Sequence, residues 1–121
     1  MDPARFAAFA NLMVGYRLDT VFHALADPTR RAMLARLAGG EKPVAELIRG
    51  FPMSDAGAAK HLAVLESAGL VGGRREGRRR LCALDTDPLG EAALWLRRWQ
   101  LPESPRIARL RGMLDAAERL A

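Results

Sequence analysis

The sequence predicts a mainly α-helical chain with one small β-hairpin. Three observations carry that prediction. Acid-proline pairs at Asp2-Pro3, Asp27-Pro28 and Asp87-Pro88 punctuate apolar stripes of helical spacing. A short helix, a tight turn and a longer helix follow one another between Pro43 and Gly69. The stretch "GGRREGRRR" (72–80) lies between two short apolar runs, not in a tail.

Each element has a local reason. Asp2 caps a first helix with Pro3 at its first position, and Phe6, Phe9, Met13 and Tyr16 form its stripe. Asp19 is read as the cap of a second helix carrying Val21, Phe22 and Leu25. Asp27-Pro28 opens a third, with the stripe Met33, Leu34, Leu37, stopped by Gly39-Gly40. Pro43 opens a short helix through Ile48, closed by Gly50. Phe51-Pro52-Met53 is the tight link. Ser54 caps the longer helix, which turns Ala58, Leu62 and Leu65 inward and ends at Gly69. Strands over 70–75 and 78–84 flank a turn at Glu76-Gly77, and alternation puts Arg78 and Arg80 on one face with Cys82 and Arg79 on the other with Leu81. Asp87-Pro88 opens a helix with the stripe Leu89, Ala92, Trp95, Leu96, Trp99. Pro102 and Pro105 interrupt it, and Ser104-Pro105 restarts a helix bearing Ile107, Leu110, Leu114 and Ala117.

A basic hairpin directly after a helix-turn-helix is a wing. The fold class is therefore a winged helix-turn-helix with extra helices at both ends. The division is an N-terminal helical extension (1–18), a winged helix-turn-helix DNA-binding domain (19–86) and C-terminal dimerisation helices (87–121).

Composition narrows the partners. The 121 residues suffice for one core but not for two independent ones. A net charge of +5 and a pI near 10.6 point to an acidic partner. The basic residues are nearly all arginine, with only Lys42 and Lys60 as lysines, and arginine suits bidentate contact to phosphate and guanine. Cys82 is the single cysteine, so no internal disulfide is expected, and it reads as a small buried hydrophobe. No hydrophobic run approaches membrane length and no signal peptide is visible, so the expected setting is cytoplasmic with no membrane partner. No nucleophile–base set or metal constellation appears, so the chain is expected not to be an enzyme and to need no cofactor.

The stretches "VFHALADPTRRAMLARL" (21–37), "VAELIRGFPMSDAGAAKHLAVLESAGLV" (44–71) and "REGRRRLCAL" (75–84) together resemble the ArsR/SmtB family of winged-helix repressors. The Asp-Pro-Thr-Arg-Arg box, the Lys-His-Leu segment and the Gly-Arg-Arg wing occur in the family's order, over about half the chain. The resemblance implies a cytoplasmic homodimer that represses transcription from a palindromic operator in double-stranded DNA. In the family's metal-sensing members, cysteines on the short first helix of the helix-turn-helix, or His and carboxylate ligands on the last helix, hold the metal. "VAELIRGF" has no cysteine and "DPLGEAALWLRRWQ" no histidine, so this chain resembles the non-metal branch. An unidentified small-molecule effector is compatible with that branch.

The expected DNA contacts are Ser54, Asp55, Ala56, Ala59, Lys60 and His61 on the longer helix and Arg75, Arg78, Arg79 and Arg80 on the wing. Lys60 can reach guanine or phosphate, and Asp55 can accept from cytosine or favour the helix N-terminus. The alanines can only touch thymine methyls or permit close approach, so phosphate contacts and DNA shape should dominate. His61 lacks metal-binding partners and reads as a hydrogen-bonded structural or DNA-proximal residue. The expected dimer contacts are Phe6, Phe9, Met13, Leu89, Trp95 and Trp99, whose stripes are too apolar for a soluble monomer. Two other readings remain: RNA binding through the arginine run, though the hairpin lacks stacking aromatics, and a winged-helix module retained for protein interaction.

Overall fold

Helix α1 runs unbroken from Pro3 to Leu25 in the computed structural model, which describes residues 2–120 except the side chains of Val14 and Tyr16. Tyr16, expected on the first apolar stripe, therefore lies outside the described side chains. Asp2 caps α1, its Oδ1 accepting from Ala4 N–H at 3.3 Å. The expected break at Asp19 is absent, and Asp19 is an exposed residue inside the helix. Nothing around it forbids helix, and the inward face continues through it. Leu18 and Val21 pack with Ala92 of a later helix, which holds the two halves in one rod.

Asp27 ends that run and starts α2 (Pro28–Leu37), its Oδ1 accepting from Thr29 N–H (2.8 Å) and Arg30 N–H (3.2 Å). A two-residue strand, β1 (Lys42–Pro43), precedes the single-turn α3 (Val44–Leu47). Pro43 is thus extended and serves as the N-cap, and the helix stops one residue before Ile48. Helix α4 (Asp55–Ser67) starts at Ser54, whose Oγ accepts from Gly57 N–H at 3.1 Å. A Cβ at Gly57 would lie 3.3 Å from that same Oγ. The glycine that weakens the helix intrinsically thus leaves room for its cap.

Strands β2 (Val71–Glu76) and β3 (Arg79–Leu84) pair antiparallel, and the sheet order is β1-β3-β2. The register pairs Glu76 with Arg79, so the turn is Gly77-Arg78, one residue beyond the expected place. Gly77 supplies the positive φ of 62° that a two-residue hairpin needs at its first position. Arg78 therefore sits on the turn itself, not on a strand face with Cys82. Helix α5 (Asp87–Leu96) has Thr86 as its N-cap, while Asp85 Oδ1 accepts from Asp87 N–H. A 3₁₀ turn (Arg97–Trp99) and a left-handed Gln100 (φ 42°) end it. Helix α6 (Pro105–Leu120) restarts with Ser104 Oγ accepting from Ile107 N–H, and no residue on it is buried.

The main core lies between α2, α4 and the sheet and contains Met33, Leu47, Leu62, Leu65, Leu70 and Cys82, all nearly or fully buried. Ala58, Leu62 and Leu65 are the only fully buried side chains of α4, so the core fixes which face of α4 remains outside. Leu65→Ala should cost about 2–5 kcal/mol, read as a lower urea midpoint with an unchanged m-value. A loss under about 1 kcal/mol would place Leu65 outside the core's cooperative unit.

Candidate nucleic-acid interface

The exposed face of α4 carries Asp55, Ala56, Ala59, Lys60 and Ala63, with Ser54 exposed at its start. Lys60 is the one cation on α4, and Asp55 sits in its first turn, where a carboxylate favours the dipole. His61, on the flank of that face, is half-buried.

Arg30 explains why. Its side chain is 8% exposed and reaches three groups. Nε donates to the Ala24 carbonyl (2.7 Å) and Nη2 to the His23 carbonyl (2.8 Å), both among the last acceptors of α1. Nη1 meets His61 Nδ1 at 3.0 Å. One buried guanidinium thus joins the end of α1, the start of α2 and the middle of α4. Arg31 adds a bond from Nη1 to the Leu25 carbonyl. Arg36 plays a similar part lower down, donating from Nη1 to the Leu47 and Arg49 carbonyls while lying 4.1 Å over the Phe51 ring.

The wing arginines divide into two groups. Arg74 holds Glu41 with two bonds, Nε to Oε2 (3.0 Å) and Nη2 to Oε1 (2.7 Å), and also meets Glu76. The hydrogen bond to Glu41 is the main cause that raises the Arg74 guanidinium still further above its ordinary value. Arg80, expected as a free DNA contact, is held by Glu66 near the end of α4. That pair braces the wing against α4. Arg75, Arg78 and Arg79 are exposed and, among the described residues, make no hydrogen bond or ion pair through their side chains. Close like charges without partners favour an anion between them. Cys82, below Arg80 on the same sheet face, is buried; burial pushes its thiol up despite the opposing charge of Arg80, and Glu66 adds to the rise. It is a protonated core residue.

The apolar stripes of the outer helices also divide. Leu89 packs against the main core. Trp95 joins Leu18, Val21 and Ala92, and stacks edge-on with Phe22 (5.8 Å) and Trp99 (4.5 Å). Both are partly buried and make these contacts within the protomer. Phe6 (58%), Phe9 (56%), Met13 (47%) and Trp99 (54%) remain exposed. A groove of about 510 Å³ between α1 and α5 is lined by Met13, Leu94 and Trp95, with the Arg17–Glu91 pair and Arg98 at its rim. Among the described residues no group of three His, Cys, Asp or Glu side chains comes together, and no described helix is long and apolar enough to cross a membrane.

What α3, the tight link, α4 and the hairpin make together is a winged helix-turn-helix, the class of protein that offers one helix and a wing to DNA. A helix-turn-helix domain model matches residues 25–73. The transcriptional regulator Rv2034 of Mycobacterium tuberculosis is 49% identical over 76 residues, covering 63% of this chain and 69% of that protein. The transcriptional repressor SdpR of Bacillus subtilis is 30% identical over 79 residues, covering 65% of this chain and 88% of that protein. Among solved structures, an ArsR family transcriptional regulator matches with a TM-score of 0.67 at 40% identity, over 71% of this chain and 89% of that one. The homodimeric winged helix-turn-helix DNA-binding domain of Mb0332 from Mycobacterium bovis matches with a TM-score of 0.59 at 30% identity, over 74% and 84%. The chain belongs to the ArsR family of winged helix-turn-helix transcriptional regulators.

The Asp27 cap gives the interface a pH dependence. Partial burial raises the Asp27 carboxyl, but the Arg30 and Thr29 backbone N–H groups, with the charge of Arg30, outweigh it and hold the group below its ordinary value. A depressed carboxyl stabilises the fold above its unfolded pKa, near 3.9, and that contribution is lost as pH falls through the folded value. Asp27→Asn keeps a capping oxygen without the charge. Its melting temperature should therefore fall less steeply than the wild type's below about pH 4. Parallel acid profiles would show that the charge of the cap is irrelevant.

Proposed function

We propose that the chain is a dimeric, cytoplasmic transcriptional repressor that binds a palindromic operator in double-stranded DNA. Helix α4 enters the major groove, and Arg75, Arg78 and Arg79 of each wing hold the sugar–phosphate backbone. The observation that carries this reading is the juxtaposition of a capped, outward-facing helix with a braced hairpin whose three other arginines have no protein partner among the described residues. The repressor name of SdpR and the homodimeric state of the Mb0332 domain support it. The exposed face of α4 offers few base-reading groups, so backbone contacts supply most of the affinity. Ser54 acts through its cap, and Arg80 acts by bracing the wing.

Two copies meet through the exposed parts of the outer helices, Phe6, Phe9 and Met13 of α1 with Trp99 beyond α5. Exposed apolar area on this scale marks an association surface. Phe9→Ser combined with Trp99→Ser spares the Trp95 cluster's own packing partners in α1. Sedimentation should find this variant monomeric at concentrations where the parent is a dimer; an unchanged dimer would place the interface elsewhere.

The wing is tested by salt. Each phosphate neutralised contributes about −0.9 to the slope of log affinity against log salt, so removing one contact per protomer removes two per dimer. Arg78→Ala and Arg79→Ala should each flatten the slope by about 2 and weaken operator and random duplex together. Fluorescence anisotropy over a salt series reads both. An unchanged slope in both variants would make the arginine run a solvated loop.

A further inference from the structure

His61 has a role that its half-buried position hides. The Arg30 guanidinium carries only donors, so its 3.0 Å contact makes His61 Nδ1 an acceptor. The ring is then neutral in this contact and its proton lies on Nε2. Among the described residues Nε2 bonds to no protein group, and no buried side-chain nitrogen or oxygen lacks a partner. Nε2–H is therefore a donor open to solvent. It lies on the flank of α4, one residue from the exposed Lys60. The Asp27 carboxylate approaches the ring at Nδ1, 3.8 Å away.

We infer that His61 donates through Nε2–H to a phosphate oxygen of bound duplex DNA, with Arg30 as the residue that positions the ring. This rests on the reading of α4 as the DNA-facing helix. Phosphate fits better than a base edge for two reasons. The ring is fixed at Nδ1 and cannot swing to follow a base. The flank of a helix inserted in a groove faces the groove wall, which is the sugar–phosphate backbone. Arg30 is itself anchored on the His23 and Ala24 carbonyls, so the donor is referenced to the end of α1.

Two substitutions separate the ring's two nitrogens. In His61→Asn the amide oxygen stands near Nδ1 and can still accept from Arg30, but nothing reaches the place of Nε2. In His61→Gln the longer amide reaches that place with an N–H. The probe is a random-sequence duplex of roughly three helical turns, because a backbone contact needs no operator. His61→Asn should bind it about tenfold more weakly, as two neutral-donor bonds are lost per dimer. Its melting temperature should stay near the parent's. The salt slope should also stay, because a neutral donor displaces no counterion. His61→Gln should recover most of the affinity. Asparagine binding as tightly as the parent would overturn the inference, as would a loss matched by a lower melting temperature and not recovered by glutamine. Parent protein that binds no duplex at all would instead overturn the proposed function.

Discussion

The arrangement depends on one buried cation. Arg30 is taken almost wholly out of water, which is tolerable only because all its bonds are aimed at acceptors. Two of these are carbonyls in the last turn of α1, of which that of His23 also accepts from Ala26 N–H, and the third is a ring nitrogen on α4. Truncating it would orphan acceptors on two helices at once. Asp27 completes the joint from the other side by capping α2 beside the same histidine. The angle between the outer helix and the DNA-facing helix is therefore set by polar geometry as well as by the apolar packing beneath it. Apolar contacts alone allow sliding; bonds with fixed direction do not.

Charge in the wing follows the same logic. Two arginines of the hairpin, Arg74 and Arg80, are bound to Glu41 and Glu66. Exposed ion pairs of this kind contribute little to stability. Their effect is to register the hairpin against the turn before β1 and against α4. Arg75, directly across from Arg80, and Arg78 and Arg79 at the turn have no such partners among the described residues. The hairpin is tied to the body through two of its arginines and left electrostatically open at the other three.

Much of this was legible in the sequence. Local signals with a direct mechanism were reliable: the Asp27-Pro28 start, the Ser54 cap and the inward set Ala58, Leu62, Leu65 could be read because each depends on neighbouring residues. Failures came where distant packing decided. Asp19 resembles a cap, yet Leu18 and Val21 on α1 meet Ala92 on α5, and that contact keeps the helix whole. Strand β1 is two residues long and exists only because Pro43 and Lys42 lie beside Leu81 and Cys82. The hairpin turn lies one residue beyond the Glu76-Gly77 pair because the register, not the dipeptide, decides which position of the turn Gly77 takes. At the interface, the residue types were readable but their partners were not. Nothing local reveals that Arg80 pairs with Glu66, that Trp95 packs on Phe22 of α1, or that Arg30 holds His61.

The alanines of α4 have a consequence for how such a protein could change its target. Ala56, Ala59 and Ala63 face outward on a helix whose stability comes from its opposite side and from the Ser54 cap. Side chains can therefore be added at these three places without disturbing the packing beneath. The affinity of the backbone contacts would carry such variants while new base preferences were acquired one at a time. In evolutionary terms the helix is a nearly blank template: its place in the groove is fixed, and what it reads there is open to revision.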